Sequence, residues 1–75
     1  MIGYLQSHGK EMAWLSAQIL RARKEKRVTQ ADMAKRLGMD RHTYAKREER
    51  PELMTLQELY MVSDLLGIRA EDLIR

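Results

Sequence analysis

The chain has no cysteine, one proline and four glycines in 75 residues. Without cysteine there are no disulfides and no thiolate metal sites. The two histidines, His8 and His42, stand 34 positions apart and make no recognisable ligand pair. No apolar run approaches the roughly 18 residues that a spanning helix needs, so no membrane segment is expected. Residues 1–7 lack the charged start and apolar run of a secretory signal, and a cytoplasmic setting is the expectation. Neither an internal repeat nor a low-complexity tract occurs. A chain this short is one domain, and it buries only roughly 60% of its unfolded surface. Domains of this size usually lean on a disulfide, a metal or a partner chain. With the first two gone, a second copy of the chain is the expected support.

Net charge is small overall but unevenly placed. The net is +3. Residues 21–50 hold 11 of the 14 Lys and Arg against five acids, for a local +6, and the remaining residues carry −3. A basic middle on a small chain points to a polyanionic partner.

The scarcity of proline and glycine leaves long unbroken stretches, and their apolar spacing is helical. Met12, Leu15, Ile19 and Ala22 recur at three or four, predicting a first helix over residues 10–26. Ahead of it, Ile2, Tyr4 and Leu5 alternate as a short strand would, between breaks at Gly3 and Gly9. Thr29 is an N-cap for a second helix over residues 30–37, with Asp32 in its first turn and Gly38 as its stop. Asp40 caps a third helix over residues 41–49, which ends before Pro51. Thr55 and Glu58 form a capping box for a fourth over residues 56–66, stopped by Gly67. Residues 70–74, with Glu71 and Asp72 in the first turn, predict a short fifth helix. Met12, Met33, Met39, Met54 and Met61 read as core filler. Trp14 and Tyr60 lie off the apolar stripes and suggest packing against the N-terminal segment or a second chain.

Two short helices joined at a glycine form a helix-turn-helix pattern. The third helix carries few apolar residues and many that reach base edges or phosphates: Arg41, His42, Thr43, Lys46 and Arg47. An exposed polar helix would look similar, and the motif around it favours DNA. Residues 29–44, TQADMAKRLGMDRHTY, resemble the Cro/CI-type phage-repressor helix-turn-helix family. Ile19 to Arg23 resembles the end of that family's first helix, residues 55–68 its fourth helix and following turn, and residues 71–74 its fifth. The resemblance covers about residues 18–75. It implies an all-α, compact five-helix domain of the lambda-repressor kind over residues 10–75, with residues 1–9 as an extension related to dimerisation.

The resemblance also implies roles. Arg41, His42 and Lys46 take the base-reading positions of the third helix, and Arg41 is suited to fork onto guanine. Gln30, Lys35, Thr43, Arg47 and Arg50 take backbone-contacting positions. Arg23 and Glu48 resemble the ion pair that ties the first helix to the third, and Tyr44 takes a core position. The chain departs from the family at Ala22, where leucine is common, at Arg27, where a turn glycine is usual, at Arg47, where an apolar residue is usual, and at Arg69, where a capping serine is usual.

The implied function is a sequence-specific regulator, a phage or prophage repressor bound to a palindromic operator as a homodimer. The alternative is a protein-interaction module, such as an antitoxin, on the same fold. Glu48 and Glu49 are neighbours that point apart on a helix, and no catalytic, cofactor or metal spacing appears, so an enzyme is not expected.

Overall fold

A computed structural model describes residues 2–69, with side chains described from residue 10 onward. Among the described residues there are four α-helices, one 3₁₀ turn and no strand. They are α1 (Ile2–Glu25), α2 (Gln30–Leu37), α3 (Arg41–Glu49) and α4 (Leu56–Leu66), with the 3₁₀ turn Pro51–Leu53 between α3 and α4. The expected fifth helix over residues 70–74 lies outside the described residues. No described helix is long and apolar enough to cross a membrane.

The strand-like reading of residues 2–9 is corrected. They continue α1 without a break, through Gly3 and Gly9. A mid-helix glycine costs about 1 kcal/mol, but extending an existing helix adds a hydrogen bond for every residue fixed. A three-residue alternation offers no comparable return without a partner strand.

The helix ends follow local chemistry. The Thr29 hydroxyl accepts from the Asp32 amide at 3.0 Å, and the Asp32 carboxylate accepts from the Thr29 amide at 3.2 Å. The Thr55–Glu58 box repeats this at 3.0 and 2.9 Å. Asp40 accepts from the Thr43 amide at 2.8 Å. Three helices close with the same pair of backbone bonds, a Schellman arrangement. In α2, Gly38 donates to Lys35 and Met39 to Ala34; in α4, Gly67 donates to Asp64 and Ile68 to Ser63. In α1, Arg27 donates to Lys24 and Val28 to Arg23. The left-handed residue is glycine in the first two, at φ 73 and 68, but Arg27 in α1, at φ 58. A side chain in that conformation costs roughly 1 kcal/mol, because its Cβ crowds the following carbonyl.

Leu15 and Ile19 of α1, Met33 and Ala34 of α2, Tyr44 of α3, Met54, and Val62 and Leu66 of α4 form one buried cluster. Met12, Met39 and Trp14 pack against it half-buried, whereas Met61 is exposed, against its expected role as filler. The helix-turn-helix of α2 and α3 rests on this core through Met33, Ala34 and Tyr44.

Tyr44 is fully buried, yet its hydroxyl has no hydrogen-bond partner. Burial first, then the Glu48 carboxylate one turn on, push its pKa up. A buried orphan hydroxyl is destabilising, while an apolar replacement of the same shape is not. Tyr44→Phe is therefore expected to raise stability by about 1 kcal/mol. Urea unfolding should show a higher midpoint at unchanged slope. A lower midpoint would show that the hydroxyl is bonded.

Candidate nucleic-acid interface

The third helix has two sides because of its few buried residues. Tyr44 and Glu48, one turn apart, face inward. Arg41, His42 and Lys46 are exposed. His42 and Lys46, four apart, share the opposite side, while Arg41 lies three before Tyr44 and is exposed because it opens the helix. The helix is held at both ends. At its start, Asp40 accepts from the amide of Thr43 and, at 3.0 Å, from its hydroxyl. These bonds, the amide's first, hold the Asp40 carboxyl below its usual pKa. At its end, Ser16 of α1 donates its hydroxyl to the Glu48 carbonyl at 2.6 Å.

The same end is anchored by charge. Arg23 of α1 donates through Nε and Nη2 to the two Glu48 carboxylate oxygens, at 2.9 and 3.0 Å. Its Nη1 donates to the Val28 carbonyl at 2.9 Å. Gln30, at the head of α2, donates its amide to Glu48 Oε1 at 3.4 Å. The Arg23 and Glu48 side chains are only 11% and 5% exposed. One carboxylate thus joins the end of α1, the start of α2 and the body of α3, and a bidentate pair fixes orientation as well as distance.

The other residues named from the sequence fall into separate places. Arg50 is exposed at the end of α3. Lys35 is exposed but overhangs a recess shared with Val28, Met33 and Leu65, on the α4 side of α2. Gln30 and Arg41 share a different cleft. Two residues read as backbone contacts have partners within the fold. The Thr43 hydroxyl donates to Asp40, so it serves the cap. Arg47 is half-buried, with Nε on Glu58 Oε1 at 3.1 Å, so it ties α3 to the start of α4. Without an apolar residue at position 47 to fill that interface, an ion pair does so.

Sequence reasoning passed over four residues here. Ser16 looked like a polar position on α1, and Glu58 like a cap alone. Lys24 read as a solvated charge before a phosphate contact, and Arg27 as a departure from a turn glycine, yet both line the cleft that Gln30 and Arg41 border. Arg27 did carry a signal, as an arginine at a helix-ending position.

Compared with known proteins, residues 18–75 match the family model of the Cro/C1-type HTH DNA-binding domain. No curated protein and no solved structure matches.

Proposed function

The chain belongs to the Cro/C1-type helix-turn-helix DNA-binding family, and on that premise we propose that it is a phage or prophage repressor acting on a palindromic operator as a homodimer. The observation that carries the reading is the two-sided α3: Tyr44 and Glu48 are locked inward, His42 and Lys46 are exposed on the opposite side, and Arg41 is exposed where the helix opens, so that all three are available to a major groove. Lys35 and Arg50 add exposed charge for phosphates, and Gln30 stands at the head of α2. Neutralising phosphates releases counterions, so affinity falls with salt. Base contacts then select among sequences.

What supports a second chain is an exposed apolar row next to and along α4: Leu53, Leu56, Tyr60 and Met61. It lies on a different helix from the two that carry the proposed DNA surface. A two-fold dimer would set two α3 helices in successive major grooves about 34 Å apart. Repression would follow from occupying a promoter, and the site of action would be the cytoplasm of a bacterial or phage-infected cell, at the nucleoid.

Selection of bound duplexes from a random pool tests this directly. The expected result is enrichment of a rough palindrome with half-sites about 10 base pairs apart, centre to centre. Titration of the winner at two salt concentrations should give a steep negative slope of log affinity against log salt. No enrichment together with salt-insensitive binding would overturn the reading.

A further inference from the structure

α3 ends differently from the other three helices. Each of those closes on a left-handed residue and a pair of backbone bonds. The cap of α3 is Arg50, at φ -127 and ψ 81, and the next residue is Pro51. Proline has no N–H, so the Arg47 carbonyl lacks the donor that stands four residues on in a continuing helix. The last carbonyls of a helix need partners from elsewhere. For Glu48 the partner is on another helix: the Ser16 hydroxyl of α1 donates to its carbonyl at 2.6 Å, across 32 positions of sequence.

Ser16 is a mid-helix serine, and such a hydroxyl usually turns back to a carbonyl of its own helix one turn earlier. Here it crosses to α3. Leu15 and Ile19, buried in the core, fix this part of α1. Arg23 follows two turns later on the same side of α1 and binds the carboxylate of the same Glu48. α1 therefore grips Glu48 twice, by main chain and by side chain. The carboxylate also engages Gln30 and ties three helices together. The carbonyl belongs to the last turn of α3, the turn that carries Lys46. The start of α3 is held separately, by Asp40.

We propose that Ser16 is a positioning residue for base reading: its hydroxyl closes α3 from outside the helix-turn-helix and holds the turn from which Lys46 enters the groove. The proposal rests on the DNA-binding reading and extends the reading apparatus to a residue ahead of positions 18–75. With the hydrogen bond in place, the last turn is seated before DNA arrives. Without it, only a fraction of the molecules has that turn seated, and affinity falls by that fraction. Arg41, at the capped start, keeps its place.

Ser16→Val and Ser16→Thr separate the hydroxyl from the shape of the side chain. The two replacements are nearly isosteric and of similar helix propensity, and only threonine can donate. Ser16→Val should lower affinity for the selected operator about three- to fivefold, and Ser16→Thr should stay within about twofold of the wild type. The ratio of operator to scrambled-duplex affinity should fall with valine and hold with threonine. Amide exchange at residues 47–50 of the free protein should be faster in Ser16→Val than in Ser16→Thr, with α4 alike in both. A double-mutant cycle locates the effect: Ser16→Val should add little to Lys46→Ala but its full effect to Arg41→Ala. If valine and threonine bind alike, or valine adds equally to both, Ser16 only supports the fold; the proposal then fails and the DNA reading stands. If the wild type does not discriminate operator from scrambled duplex, the DNA reading fails first.

Discussion

Glu48→Ala is expected to remove about 3 kcal/mol of stability, a large share of what holds so small a domain together. The loss follows from what remains. The Arg23 guanidinium stays buried, with only the Val28 carbonyl to accept from it. A buried charge stripped of its partner costs far more than the pair contributed while intact. Gln30 loses its acceptor as well. For a domain of this length about 3 kcal/mol corresponds to a fall of roughly 12–24 °C in the thermal midpoint. The alternative is that solvent reaches Arg23 as soon as Glu48 is cut back. Then the loss would be below about 1 kcal/mol, as for a surface pair. A double-mutant cycle with Arg23→Met decides between them. If the pair is truly desolvated, the double variant should recover part of the loss, because an apolar side chain tolerates the site that a lone guanidinium does not. Additive losses would show two independent contacts. The variant should also weaken binding to every duplex alike, since it loosens α3 as a body and not one base contact.

What could be read from the sequence depended on how local its cause was. Thr29, Gly38, Asp40, Thr55 with Glu58, and Gly67 mark helix ends through bonds that span a few residues, and the structure shows those bonds. The stripe of Met12, Leu15, Ile19 and Ala22 is equally local, and it faces the core. Residues 2–9 misled because a short apolar alternation was weighed without the helix it extends. Arg23 and Glu48 stand 25 positions apart, so local chemistry does not link them, and only the family resemblance did. The basic residues of α3 show the same limit. With so few apolar residues, the helix gives no periodic signal for which charge faces the solvent. Packing against α4 turns Arg47 to Glu58, and the cap claims Thr43. The cleft of Lys24 and Arg27 appears only when the turn after α1 is laid beside the start of α3.

Arg41→Ala and Lys46→Ala are expected to lower affinity for the selected operator by about 1–3 kcal/mol each, or roughly 5- to 150-fold. Both side chains are exposed, so folding stability should change by no more than about 0.5 kcal/mol. The informative quantity is the ratio of operator to scrambled-duplex affinity, measured by fluorescence anisotropy at two salt concentrations. A base reader lowers that ratio. A phosphate ligand lowers both affinities together and leaves the ratio alone. Lys46, well inside α3, has no part in the α1–α2 cleft, so its loss should fall on the ratio. Arg41 is the harder case, because it borders that cleft as well as opening the helix. If Arg41→Ala collapses the ratio, its guanidinium turns to a base edge when DNA is bound. If it lowers both affinities equally and makes the salt slope shallower, Arg41 is a phosphate contact, and base reading passes to His42 and Lys46. Arg47→Ala gives the contrast for both, because it should destabilise the α3–α4 junction while leaving the ratio intact.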